Sequence, residues 1–211
     1  MRSFTTAFTA PMLNGYQSGV MSYTYRGTRC LKSPIDIALY MKLLWDLKPG
    51  LVLEIGSHSG GSALLLADLV TSFGFDTAVV SIDLSIPKEL QDDRIQFLQG
   101  DVMDLGVLFE TYTLSQYPHP WFITEDSAHS YAGCKTALQV LSEQMHPGDI
   151  LAMEDGILED LGMSDSYDGG PNQAIAEYLE THPSHFRIMT EICDMFGPNA
   201  TYNPNGYLCK L

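Results

Sequence analysis

Residues 51–62, Leu51-Val52-Leu53-Glu54-Ile55-Gly56-Ser57-His58-Ser59-Gly60-Gly61-Ser62, decide the fold. An apolar run of strand length ends in an acid and a glycine-rich turn. The turn leads into a helical stretch with Leu64, Leu65, Ala67 and Leu69. Glycines there let a ligand approach the backbone, and the helix N-terminus offers free N–H donors. Three common motifs fail on spacing. No Gly-Lys-[Ser/Thr] follows, so it is not a P-loop. Ser59 is one place off the frame of a nucleophile elbow. Gly56, Gly60 and Gly61 do not match a dinucleotide fingerprint. A tight turn without a ligand remains the plain alternative.

Outward from this stretch the pattern alternates. Strands are expected at 78–83, 94–98, 121–124 and 149–153, with helices over 102–114, 131–145 and 172–181. Two terminal strands are expected at 186–190 and 206–211. Upstream, Pro34 opens an amphipathic helix that Lys48-Pro49-Gly50 closes. Residues 1–33 lack periodicity and read as an irregular arm or lid, and 155–171 reads as a mobile acidic loop over the sheet's edge. The expected fold is α/β: a doubly wound, mainly parallel, seven-stranded Rossmann-like sheet.

The chain of 211 residues carries a formal net charge of -15, yet only 18% of it is charged and 45% is apolar. This composition is globular rather than disordered. The charge argues against a phosphate-binding nucleic-acid surface and against an anionic membrane. It is also uneven: residues 1–50 are net +4 and the remainder net -19. The basic N-terminal part is expected to fold against the acidic sheet edge. Cys30, Cys134, Cys193 and Cys209 form no CxxC pair, and reduced thiols are expected. No signal-peptide or membrane-span pattern stands out, so the expected location is cytoplasmic.

The acidic strand ends carry the candidate chemistry. Asp83 ends the second strand, 29 residues after Glu54, where an acid accepts hydrogen bonds from ribose hydroxyls in doubly wound folds. Gly100-Asp101 follows the third strand; its plain reading is a turn. The fourth strand runs into Glu125-Asp126-Ser127-Ala128-His129 and the fifth into Glu154-Asp155. Adjacent parallel strands would bring Asp126, Glu154 and Asp155 together. Three converging carboxylates repel one another unless a cation lies between them. Hard oxygen donors without a thiolate favour Mg²⁺. His129 is placed to act as general base. The plain alternative makes Asp126 the cap of the following helix.

These pieces, in this order, resemble class I S-adenosylmethionine-dependent methyltransferases. More narrowly the chain resembles the CmcI-like group, often labelled cephalosporin hydroxylase, and the macrolide sugar O-methyltransferases. The matching segments are Tyr25-Arg26-Gly27, Ser33-Pro34-Ile35-Asp36, Glu54-Ile55-Gly56 with Gly60-Gly61-Ser62, Ile82-Asp83 and Gly100-Asp101. They continue with Glu125-Asp126-Ser127-Ala128-His129, Gly148-Asp149, Glu154-Asp155 and Asn203-Pro204-Asn205-Gly206-Tyr207-Leu208. The resemblance implies a methyltransferase domain over 34–211. It implies an S-adenosylmethionine pocket at Glu54, Gly56, Ser57, Gly60, Ser62, Asp83, Gly100 and Asp101. It also implies Mg²⁺ on Asp126, Glu154 and Asp155, with His129 as base, and a homo-oligomer. The expected reaction is O-methylation of a small hydroxylated acceptor such as a sugar, diol, enediol or polyketide. Tyr16, Tyr23, Tyr25 and the loop 156–170 are candidate walls for that acceptor. The rival readings are a nicotinamide (NAD)-dependent oxidoreductase and a non-catalytic subunit that keeps the fold.

Overall fold

The computed structural model describes residues 2–211. In chain order it contains α1 (Ala10–Ser22), a hairpin of β1 (Thr24–Tyr25) and β2 (Thr28–Arg29), α2 (Pro34–Leu47), β3 (Leu51–Ile55) and α3 (Gly61–Ser72). Then come β4 (Ala78–Asp83), β5 (Ile95–Gln99), α4 (Leu105–Thr111), β6 (Trp121–Glu125), α5 (Tyr131–Gln144) and β7 (Ile150–Met153). The chain closes with α6 (Gly170–Thr181), β8 (Phe186–Ile188), α7 (Thr190–Cys193) and β9 (Tyr207–Lys210).

Seven strands form one sheet in the order β5-β4-β3-β6-β7-β9-β8. All neighbours are parallel except β9, which runs antiparallel to β7 and β8. Strand β3 is buried at every position because helices cover both of its faces. Leu51, Leu53 and Ile55 pack with Leu105, Phe109, Leu138, Leu141 and Ile175 of α4, α5 and α6. Val52 points the other way, into Leu39, Leu43, Leu66 and Val70 of α2 and α3. From β3 the chain winds outward to β4 and β5, and from β6 to β7. The crevice beyond the carboxyl ends of β3 and β6 is therefore the topological switch point, where such sheets bind ligands.

Four expectations need correction. The arm is not irregular throughout: α1 forms despite Gly15 and Gly19, with Pro11 in its first turn, where proline is favoured. Its Leu13 and Val20 are buried against Ile157 and Tyr202, and burying each side chain contributes about 1.5–3 kcal/mol. The β1–β2 hairpin and the four-residue α7 also carry too short a period to be seen in the sequence. The helix expected over 102–114 is broken, with a 3-10 turn at Val102–Asp104, α4, and a second turn at Leu114–Gln116 after left-handed Thr113. The 155–171 loop holds two 3-10 turns; Gly156, Ile157 and Leu158 are buried, and Ile157 packs with Leu13 and Val20 of α1. Among the described residues, no helix is long and apolar enough to cross a membrane. The four cysteines are unpaired.

Candidate active site

The glycine-rich turn and the acidic end of β6 meet in the crevice. Gly56 has φ +106°, and the N–H of Asp126 donates to the Ile55 carbonyl at 2.7 Å. A Cβ at Gly56 would come within 2.5 Å of the Asp126 carbonyl carbon, so only glycine lets the two strand ends approach this closely. Gly60, at φ +83°, caps α3. A Cβ at Gly61 would lie 2.6 Å from the Arg29 carbonyl carbon, so the hairpin backbone rests directly on the start of α3.

Around this turn the polar groups are ordered. Glu54 is fully buried and accepts a hydrogen bond from Ser81 Oγ, which lies 2.6 Å from Ser57 Oγ. Its other oxygen, Oε1, is buried with no partner. Burial raises the Glu54 pKa, opposed by the charge of Lys32 and by the neighbouring Ser62 and Ser81 hydroxyls. Asp83 accepts from the backbone N–H of His58 at 2.8 Å and of Ser85 at 3.2 Å, which ties the second strand end to the glycine turn. Gly100 N–H donates to the Asp83 carbonyl at 2.9 Å. Asp101 takes its plain role here, accepting from Met103 N–H at 2.9 Å as the cap of a 3-10 turn.

The second half of the crevice is acidic. Ser130, not Asp126, caps α5, accepting from Gly133 N–H at 3.2 Å, so the capping alternative for Asp126 fails. Asp126, His129 and Asp155 each offer a ligand atom within 4.8 Å of the others. His129 Nε2 lies 3.4 Å from Asp155 Oδ2 and 3.8 Å from Asp126 Oδ1. Its Nδ1 is buried without a partner. Both His129 (φ +53°) and Asp155 (φ +59°) occupy the left-handed region, a strain that clusters at functional sites. Burial works against the imidazolium, but the Asp155, Asp126 and Glu125 carboxylates outweigh it and raise the His129 pKa. Burial and repulsion from Asp126 push the Asp155 pKa up to about 6, against the pull of His129.

Two contributors to this site carried no role in the sequence reading. Lys32, 3% exposed, donates to both oxygens of Glu154 at 2.7 Å and also to Asp126 Oδ2. Burial opposes its charge, but Asp126, Glu154 and Glu54 hold its pKa well above the ordinary lysine value. The basic first fifty residues do fold against the acidic edge, and Lys32 is where they do so. The other contributor is Asp36, 1% exposed. It accepts from Thr201 Oγ1, from Tyr207 OH at 2.6 Å and from Tyr202 N–H at 2.9 Å. It also faces Asn203 Nδ2 at 3.4 Å, while Asn203 Oδ1 accepts from Asp155 N–H at 3.0 Å. The Ser33-to-Asp36 and Asn203-to-Leu208 segments thus form one network behind Asp155. The tyrosines are dispersed: Tyr25 OH donates to Asp68 at 2.9 Å, Tyr23 packs on the α2–α3 core, and the Tyr16 ring packs tilted against Tyr202 with centroids 5.6 Å apart.

The residues fit a hard divalent cation. Clustered carboxylate oxygens, an imidazole nitrogen and no thiolate are a suitable donor set, and Asp126 Oδ1 and the Asp155 carboxylate are not engaged by Lys32. Oε1 of Glu54, buried and unpartnered behind the glycine turn, fits a donor arriving from the crevice.

Residues 17–211 match the family Rhamnosyl O-methyltransferase/CmcI. The chain is 31% identical over 192 residues to the rhamnosyl O-methyltransferase of Mycobacterium leprae, covering 89% of this chain and 82% of that one. It is 29% identical to the Mycobacterium tuberculosis protein of the same name, covering 89% and 78%. A solved structure of CmcI with Mg and SAM superimposes with TM-score 0.70 at 28% identity, covering 90% of this chain and 77% of that one. These likenesses select the methyltransferase over the oxidoreductase and the non-catalytic alternatives. The chain belongs to the Rhamnosyl O-methyltransferase/CmcI family and is an O-methyltransferase with the class I, S-adenosylmethionine-dependent fold.

Proposed function

We propose that the protein is a Mg²⁺-dependent O-methyltransferase that acts on a hydroxyl of a small acceptor, a deoxysugar such as a rhamnosyl group being the first candidate. The observation that carries this reading is the convergence of Asp126, His129 and Asp155 beside the glycine turn, all within 4.8 Å. The names of the mycobacterial relatives point to the sugar. Glu54, Gly56, Ser57, Gly60, Ser62 and Asp83, with Gly100 and Asp101 alongside, would hold S-adenosylmethionine. Asp126, Glu154 and Asp155 would hold Mg²⁺. The two groups supply an electrophilic methyl and a Lewis-acid charge that lowers the pKa of the acceptor hydroxyl. Asp126 and Asp155 orient the acceptor oxygen. His129 Nε2, facing the same space, takes the hydroxyl proton, and the carboxylates stabilise the imidazolium that results. Most of the remaining rate comes from alignment of oxygen and methyl by the rigid strand ends.

The same reading makes residues 1–33 an arm over a catalytic domain at 34–211. Its support is the packing of α1 on Ile157 and the reach of Lys32 into the site. It also carries a homo-oligomer and a cytoplasmic location, which sedimentation and cell fractionation test. The chemical test is direct. Asp126→Ala should retain S-adenosylhomocysteine binding by calorimetry and lose methyl transfer to a rhamnoside. Activity surviving both that change and EDTA would exclude the metal mechanism.

A further inference from the structure

Among the described residues, Lys32 is the one lysine or arginine that reaches the interior of the carboxylate cluster. Its backbone is fixed on both sides. Its N–H donates to the Cys30 carbonyl at 2.8 Å, Cys30 N–H donates to Tyr23 at 3.1 Å, and Ser33 caps α2. The side chain, 3% exposed, engages both oxygens of Glu154 and Oδ2 of Asp126. Asp126 Oδ1 is left facing His129 and Asp155. The three carboxylates are therefore divided. Glu154 and half of Asp126 belong to Lys32, and Asp155 with the other half of Asp126 faces the open crevice.

We infer that Lys32 is the resident counter-cation of this site and sets its affinity for the divalent ion, which binds in competition with the ammonium for Glu154 and Asp126. This rests on the metal reading above. A divalent ion arriving at Asp126 and Asp155 meets repulsion from a charge that is one carboxylate away and poorly screened by water. Its third carboxylate, Glu154, becomes available only as Lys32 yields. The consequence is an ion site kept deliberately weak and reversible, with an acidic cluster that stays folded before the ion arrives. Lys32 touches no reacting atom in this scheme; it is a positioning residue.

Calorimetric titration of MgCl₂ into the full chain tests it, comparing wild type with Lys32→Met and Lys32→Arg. Lys32→Met should bind Mg²⁺ about tenfold or more tightly, since a nearby like charge is removed from a low-dielectric site. Lys32→Arg, which keeps the charge, should remain within about threefold of wild type, well short of that electrostatic change. Equal or weaker binding by Lys32→Met overturns the inference. If Lys32→Met does not fold, ¹³C-labelled lysine spectra of the wild-type protein decide. Saturating Mg²⁺ should shift the Lys32 Cε resonance, and an unmoved resonance contradicts the inference. Mg²⁺ binding by wild type with no difference in the variants removes the inference and leaves the metal reading standing. Absence of Mg²⁺ binding by all three proteins removes the metal reading and, with it, the inference.

Discussion

Replacing Gly56 by alanine tests how tightly the cofactor turn and the acidic end of β6 are joined. At φ +106° an L-residue is strained, which costs about 1–3 kcal/mol. The added methyl would stand 2.5 Å from the Asp126 carbonyl carbon and 2.9 Å from Ser127 N. Comfortable carbon contacts need about 3.5 Å, so the two strand ends must part by roughly 1 Å. That separation stretches the bond from Asp126 N–H to the Ile55 carbonyl, now 2.7 Å. Overpacking adds about 1–3 kcal/mol. The total is about 2–6 kcal/mol, and for a chain of this size each kcal/mol lowers Tm by roughly 2–4 °C. Thermal unfolding should therefore show a loss of at least about 4 °C by this conversion. Calorimetry should show S-adenosylhomocysteine and Mg²⁺ binding weakened together, because one displacement moves both halves of the site. A Tm within about 2 °C of wild type, below that conversion, would refute the reasoning. So would loss of one ligand with the other unaffected.

Three further outcomes are expected. Asp36→Asn places an amide where Thr201, Tyr202 and Tyr207 all donate, at a position 1% exposed. Hydrogen bonds to a charged acceptor contribute about 1.5–3 kcal/mol each, so urea unfolding should show a loss of about 2–4 kcal/mol. Mg²⁺ affinity should fall with it through Asn203 and Asp155. His129→Gln should lower kcat by roughly 10²–10⁴-fold, the usual worth of a general base, with S-adenosylhomocysteine affinity unchanged. Asp83→Asn should weaken S-adenosylhomocysteine binding without altering Mg²⁺ affinity, since Asp83 contacts His58 and Ser85 and not the acidic cluster.

The sheet was legible in the sequence because its strands are short, rich in apolar residues and set off by turn residues. Leu51–Ile55 and Trp121–Glu125 are buried at every position and leave no doubt of period. The acidic strand ends were legible too, since topology alone brings Asp126 and Asp155 to one edge. What escaped depended on contacts distant in sequence. Beyond Pro11 in the first turn, little in Ala10–Ser22 favours a helix apart from the shelter that Ile157 and Tyr202 give to Leu13 and Val20. Lys32 looks like any basic residue ahead of a helix until its 3% exposure and its bonds to Asp126 and Glu154 are seen. Asp36 and Asn203 were visible as matching segments. Their joint work on Asp155 appears only once the chain's two ends are brought together.

A divalent ion bound between the ends of β6 and β7 is the feature on which the proposed chemistry depends. Anomalous diffraction from crystals grown with Mn²⁺ and S-adenosylhomocysteine tests it most directly. A single strong peak is expected in contact with Asp126 and Asp155, beside His129. A peak elsewhere, or none with the nucleoside in place, would contradict it.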